Sequence, residues 1–428
     1  MQNSTLYLPG FHLQSLRKTP RSARQILLDK HKEIRRKSLS QLGDYFSKII
    51  PEKLIQQDSL GSFSRRRVFS KANTFWAFFS QVLDADGGCK EVVRKLQAMA
   101  IAKELAPPSS STSAYCQARQ KLSTNMLEEV LAATTASLHQ DDDDSKWHGH
   151  RVVVVDGTGL SMPDTSENQA LWPQQRTQTP GCGFPQARLC GCFDLHTGAL
   201  LSYRLGSKKR NELLLLRQQM NTFEAGDIML GDKGFCSYYD VWQFQQNQVD
   251  TVFTLARGTP VEAASSQSVL GDDDLLIQWP KPSWNKKLSY TKDVWEKLPQ
   301  FLTLRQIKVT VKEPGFRVKS YHLITTLTDP DTYPAEDLAD LYYKRWDVEL
   351  FFRDIKTTMG MDILRCFTPS MVKKEILMHL IVYNCLRSLI FEAAGSLKGS
   401  PRNISFKSSL QALRQWQPLP NNTETTAD

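Results

Sequence analysis

Two short runs, "RVVVVDGTGL" at 151–160 and "GDIMLGDKGFC" at 226–236, end alike: an apolar stretch closes on an aspartate with a glycine one or two residues later. A run that is apolar without alternation reads as a strand buried on both faces, which requires a sheet covered on both sides. Each run therefore places an acid, Asp156 or Asp232, at the C-terminal end of a buried strand. Between them "ARLCGCFDLHTGALLSYRLG" reads as two strands joined near "HTG", and "KRNELLLLRQQM" as an amphipathic helix. "YDVWQFQQNQ" and "DTVFTLA" add a helix and a strand. The order β, β-hairpin, α, β, α, β describes a mixed α/β sheet with the two aspartates at neighbouring strand ends.

The flanking segments have other patterns. Residues 1–140 read as helical, with basic clusters in "RKTPRSARQILLDKHKEIRRK" (17–37) and "SRRRVFSK" (64–71). Such clusters serve either as solvated faces or as contacts to DNA phosphates. The acid run "DDDDS" (141–145) reads as a linker, and the sheet begins near 150. From 257 to 319 the pattern turns irregular and β-rich, with Trp279, Trp284 and Trp295, so this segment is expected to interrupt a core whose parts are 150–256 and 320–395. Residues 396–428 read as a tail.

"DPDTYPAEDLADLYYKRW" starts a helix that continues through "YYKRWDVELFFRDIKT" (342–357). At about 100° per residue, Arg345, Glu349 and Lys356 fall at roughly 300°, 340° and 320° relative to Tyr342, one stripe, while Asp347 and Asp354 land nearly opposite. A carboxylate on a mostly apolar helix needs something to offset its desolvation. One reading is a structural Glu349–Arg345 ion pair. The other is a metal-ligating carboxylate beside cations that hold phosphates.

Composition narrows the choice. A hydrophobic fraction of 40% in 428 residues supports two or three cores, and a net charge of +9 favours a polyanionic partner. Eight cysteines are too sparse for a disulfide scaffold. The grouping Cys182, Cys190, Cys192 and His196 matches no common zinc spacing, and strand-buried thiols are expected there. The start lacks a signal-peptide pattern, and the longest apolar run, "ILMHLIVYNCL" (376–386), is too short to span a bilayer, so a soluble, cytoplasmic protein without a membrane is expected, which the family resemblance given below would place at the bacterial nucleoid. Asp156, Asp232 and Glu349 are then the candidate ligands of two Mg²⁺ ions, about 3.5–4 Å apart, that clamp a phosphodiester.

The stretches "VVVVDGTGLSMPDT" and "IMLGDKGFCSY", with Tyr342-x2-Arg345-x3-Glu349-x6-Lys356, resemble the bacterial insertion-sequence transposases of the DDE class, in the branch with the tyrosine-arginine-glutamate-lysine signature (insertion sequence four family). The resemblance runs from about Phe75 to Met359 and takes in "TFWAFFSQVL" and "STSAYCQARQKL". It implies an RNase H-like catalytic core with a β-rich insertion, two Mg²⁺ ions for which Mn²⁺ may substitute, and a homodimer in a synaptic complex on double-stranded DNA at the element's terminal inverted repeats. Under it Asp156, Asp232 and Glu349 are catalytic metal ligands, and Tyr342, Arg345 and Lys356 contact DNA. Lys233 stands where relatives usually carry arginine, with the charge kept. Trp284 or Trp295 is placed to receive a flipped base, as an insertion-domain aromatic does in some relatives. Two rival readings are a catalytically inactive, transposase-derived DNA-binding protein, and a glycosidase with paired carboxylates. The second leaves the Arg/Lys stripe without a purpose.

Overall fold

The computed structural model describes residues 46–56, 58–64, 67–102, 106–138, 145–175, 177–179, 181–208, 212–255, 266–285, 288, 290–311 and 319–415. The basic run at 17–37, Arg65 and Arg66, the acids at 141–144 and the last residues of the tail lie outside them. Strands along the chain are β1 (Val152–Ser161), β2 (Gln186–Asp194), β3 (Leu200–Ser207), β4 (Ile228–Leu230), β5 (Asp250–Thr254), β6 (Ser266–Gly271), β7 (Asp274–Pro280), β8 (Phe301–Val311) and β9 (Lys319–Thr325). The N-terminal helices are α1 (Glu52–Ile55), α2 (Lys71–Leu83), α3 (Cys89–Ala102), α4 (Ser113–Lys121), α5 (Thr124–Leu138) and α6 (Ser166–Leu171). Those that follow are α7 (Glu212–Arg217), α8 (Tyr238–Gln246), α9 (Lys292–Lys297), α10 (Ala335–Tyr343), α11 (Asp347–Arg353), α12 (Pro369–Leu397) and α13 (Phe406–Gln415).

The chain forms two compact units. One comprises residues 140–160 and 172–352, the other 1–139, 161–171 and 353–428. The first holds a nine-stranded mixed sheet in the order β3-β2-β1-β4-β5-β9-β8-β7-β6. The strands β1, β4 and β5 are parallel, while β2 pairs β3, and β5 pairs β9, in antiparallel fashion. This is the mixed α/β sheet architecture the sequence leads one to expect. The apolar run explains its centre: Val152 to Val155 are all buried, as are Ile228, Met229, Leu230, Val252 and Phe253 beside them. The segment read as a β-rich insertion supplies β6, β7, α9 and β8, which extend the same sheet.

Arg305 on β8 secures that extension. Its guanidinium is fully buried, donates to both carboxylate oxygens of Asp274 at 2.9 and 2.6 Å, and donates to the Tyr333 carbonyl at 2.6 Å. Removing one partner of such a buried pair costs about 3–5 kcal/mol, because a charge is left desolvated and uncompensated.

The second unit is helical. Its 29-residue α12 starts at Thr368, whose side chain accepts from Met371 N–H, with Pro369 in the first turn. Lys374 donates to the Gln120 carbonyl at 2.7 Å, and Asn384 donates to Thr134 and Thr135 on α5. This longer helix has the apolar run at 376–386 as its middle. By length and composition it is sufficient to cross a membrane, and 72% of its most apolar window is buried within the protein. Lys374, Glu375, His379, Asn384 and Arg387 are buried along it, as befits a core helix with polar partners. A second helix, α13, lies in the segment read as tail.

The run from Ala335 to Thr358 is not the single α-helix assumed from its periodicity. α10 gives way to a 3₁₀ turn at Lys344–Trp346, α11 follows, and Asp354–Thr358 forms a π-helical turn. Neither turn advances by the α-helical 100° per residue, so the stripe arithmetic does not carry through to Lys356.

Candidate active site

Register positions the two aspartates. In the parallel pair β1–β4, Val152, Val153 and Val154 lie opposite Ile228, Met229 and Leu230. Asp156 and Asp232 each stand two residues beyond the last of these pairs, Asp156 within β1 and Asp232 just past the end of β4, which puts them at one level, and the Asp232 charge acts on Asp156. Neighbouring strands lie about 4.8 Å apart, which brings the two carboxylates within strong electrostatic reach. β1 itself runs on to Ser161, so Asp156 marks the point where β1 outlasts β4 rather than the strand's end.

Each carboxylate is oriented by the glycine that follows. Gly157 N–H donates to Asp156 Oδ1 at 2.7 Å, and Gly234 N–H donates to Asp232 Oδ1 at 2.7 Å. Burial pushes the Asp156 carboxyl up to about 6; the Gly157 N–H opposes that shift, the Asp232 charge adds to it, Arg345 opposes it and Glu212 adds to it. An acid held this way is one whose charged form a cation would favour.

Arg345 links these acids to the helix. It forms an ion pair with Glu349 at 3.5 Å, i to i+4, and its guanidinium lies 5.8 Å from the Tyr342 ring centroid. At that length, and with the Glu349 side chain 40% exposed, the pair is weak and leaves the carboxylate available. Tyr342 hydroxyl shares a 2.9 Å hydrogen bond with Thr254 at the end of β5. Burial raises the tyrosine's pKa, the Thr254 bond and Arg345 oppose that shift, and Asp232 adds to it. Asp156, Asp232, Arg345 and Tyr342 thus interact as one group, with Glu349 joined through Arg345.

The remaining candidates are placed differently. Lys233 is exposed beside Asp232, and Lys356 is half-buried on the π-helical turn, in the helical unit. Trp284 and Trp295 lie 6.3 Å apart between ring centroids, both half-buried. Trp295 Nε1 donates to the Pro282 carbonyl at 2.8 Å, and the Lys281 ammonium sits 4.1 Å over its ring. Cys190 and Cys192 are buried in β2.

Sequence reasoning missed Glu212, at the start of α7. Its carboxylate pairs with Arg188 on β2 at 3.2 Å and lies so close over Gly157 that a Cβ there would meet Glu212 Cδ at 2.4 Å. "DGTG" signals a turn, but nothing local in the sequence shows that Gly157 is needed for a side chain more than fifty positions away.

A divalent cation fits this donor set in chemistry: Asp156, Asp232 and Glu349 offer hard carboxylate oxygens, and the Asp156 carboxyl is destabilised as an anion by burial and by its neighbour. Among the described residues, no three His, Cys, Asp or Glu side chains are already gathered closely enough to hold an ion.

A sheet that carries two interacting aspartates beside a tyrosine-arginine-glutamate helix offers hard oxygen donors next to a cation suited to phosphate. The sequence pattern of the family described as "Transposase DDE domain" matches residues 147–385, and the chain belongs to that family. It is a DDE-type DNA transposase, and membership implies dependence on a divalent cation. It is 27% identical over 380 residues to transposase InsG for insertion sequence element IS4 of Escherichia coli (strain K12), across 87% of this chain and 82% of that protein. It is 21% identical to the transposase for IS231F of Bacillus thuringiensis subsp. israelensis, over 57% of each chain. A solved structure, a piggyBac transposase synaptic complex with hairpin DNA, aligns with a TM-score of 0.43 at 11% identity, covering 86% of this chain and 77% of that one.

Proposed function

We propose that this transposase cuts and rejoins DNA at the ends of an insertion sequence, with Asp156, Asp232 and Glu349 holding two Mg²⁺ ions, or Mn²⁺ in their place. The observation that carries this reading is the shared level of Asp156 and Asp232 on parallel strands, with Arg345 between them and Glu349. When bound, the cations supply Lewis-acid activation of water and neutralise charge at the phosphate. In the first step a water oxygen bonds to phosphorus, the P–O3′ bond breaks, and the proton ends on the departing 3′ oxygen. In the second the freed 3′-hydroxyl attacks another phosphodiester and displaces its 3′ oxygen.

The protein's own groups position these steps. Arg345 draws Glu349 to one side until the ions compete for it, and Tyr342, held by Thr254, keeps Arg345 in place. Arg345, Lys356 and Lys233 then hold non-bridging phosphate oxygens, as charge-assisted donors do. In this reading the region up to residue 140 recognises the terminal inverted repeats, the 257–319 segment contacts DNA through Trp284 or Trp295, and two copies act together on paired ends at the bacterial nucleoid. Family membership does not favour the inactive DNA-binding alternative.

The test is cleavage of a labelled duplex carrying the repeat that flanks the gene. Cutting should require Mg²⁺ or Mn²⁺ and stop on chelation. A shifted but uncut band under all ion conditions would establish the inactive binder instead.

A further inference from the structure

We infer that Asp354 and Arg387 form a positioning pair that sets the direction of Lys356 by holding a π-helical turn open. The inference rests on the reading of Lys356 as a phosphate contact.

Three observations carry it. First, the helical run widens at Asp354–Thr358, where Met359 N–H reaches back five residues to the Asp354 carbonyl at 3.0 Å. The next bonds are wider still, from Met361 N–H to Ile355 O at 3.3 Å and from Asp362 N–H to Lys356 O at 3.2 Å. π-turns are rare and recur at functional sites. Gly360, in the left-handed region at φ 79, ends the helix just past the turn, and the Asp354 carboxylate also bonds Thr358 within it, so local capping and the tertiary contact to Arg387 act on the turn together.

Second, the turn is anchored by a buried polar connection within the helical unit. Asp354 is 7% exposed, and its Oδ2 accepts from Arg387 Nη2 on α12 at 3.3 Å. Arg387 Nε donates to the Tyr383 hydroxyl at 3.0 Å, and the guanidinium lies 5.3 Å from the ring centroids of both Tyr383 and Phe406. Burial pushes the Asp354 carboxyl up to about 6 against the pull of Arg387 and Arg353, as expected for an acid kept inside by its partner.

Third, Lys356 follows Asp354 by two residues, between buried Ile355 and buried Met359. Rewinding the turn to α geometry would rotate Lys356 and at the same time pull Asp354 away from Arg387. The pair therefore fixes the lysine's bearing without touching it.

A double-mutant cycle separates the two roles. Single-turnover cleavage of the end-labelled repeat duplex, at saturating protein, is measured for wild type, Asp354→Ala, which removes the acceptor for Arg387, Lys356→Ala and the double variant, each with a thermal melt. Positioning predicts that Asp354→Ala slows cleavage roughly tenfold, and that this loss largely vanishes in the Lys356→Ala background. Independent losses in the two backgrounds overturn the inference while leaving Lys356 as a phosphate contact. Unchanged cleavage by Lys356→Ala overturns that contact and the inference with it. If Asp354→Ala does not fold, Arg387→Lys, which keeps the charge and loses the Nε bond to Tyr383, takes its place in the same cycle with the same criteria.

Discussion

Asp156 and Asp232 stand at one level of the parallel pair β1–β4, each two residues past the Val154–Leu230 pair, and each carboxylate takes a 2.7 Å bond from the N–H of a following glycine. Two like charges so placed on a half-buried surface are a cost the fold sustains for chemistry.

If Asp156, Asp232 and Glu349 hold the cations as proposed, replacing any one by alanine should lower strand cleavage by about 10³-fold or more, since each change removes a cation ligand rather than a DNA contact. Gel-shift affinity for the repeat duplex should change little. Asp164→Ala is the matched control: it is exposed and bonded only locally, to Gln169, among the contacts described, and should cut normally. Asp354, nearly opposite the stripe in the helical arithmetic, is unsuited as a control because it is buried against Arg387.

Asp156→Asn should stabilise the cation-free protein while abolishing activity. The substitution removes a desolvated charge beside Asp232 and keeps the acceptor for Gly157 N–H. A rise in Tm of about 2–4 °C in chelator is expected, with no further gain on adding Mg²⁺, whereas wild type gains. An unchanged or lowered Tm in chelator would mean that the pair is not repulsive.

Gly157→Ala should act through Glu212. The flexible end of that side chain must leave the space a Cβ would fill, and its 3.2 Å pair with Arg188 is lost with it. Cleavage should fall several-fold, and Glu212→Ala in the same background should add little, as expected for two changes with one physical consequence. Gly159→Ala, whose Cβ would meet nothing within 4 Å, should be silent.

Much of this site was legible in the sequence because it depends on local period. Runs of β-branched residues closing on Asp-Gly and Asp-x-Gly gave two buried strands and their acids, and the Tyr342, Arg345 and Glu349 spacing survives a 3₁₀ turn because neighbours three or four apart still meet. Lys356 did not survive the same reasoning. The π-turn that carries it is anchored by Arg387 on α12, a long-range partner with no sequence marker. Glu212 was hidden for the same reason, and so was the buried Arg305–Asp274 pair that ties β8 to β7.

Asp354 also predicts a pH dependence, and its sign is opposite to that of an exposed ion-paired acid. Its carboxyl titrates near 3.8 in an unperturbed chain and near 6 in the fold, chiefly because burial penalises its charge. The folded state therefore holds the proton more tightly, and the stability this group contributes is fully present below pH 3.8 and lost as pH rises through about 6. Asp354→Asn lacks that titration. The stability difference between wild type and this variant should thus shift against wild type, by on the order of 1–3 kcal/mol, as pH is raised from about 3.5 to 7. Denaturant melts of both proteins at matched ionic strength read it directly. A difference that is flat with pH, or that moves in favour of wild type, would show that Arg387 outweighs burial, and that the turn carrying Lys356 is held by an ordinary ion pair.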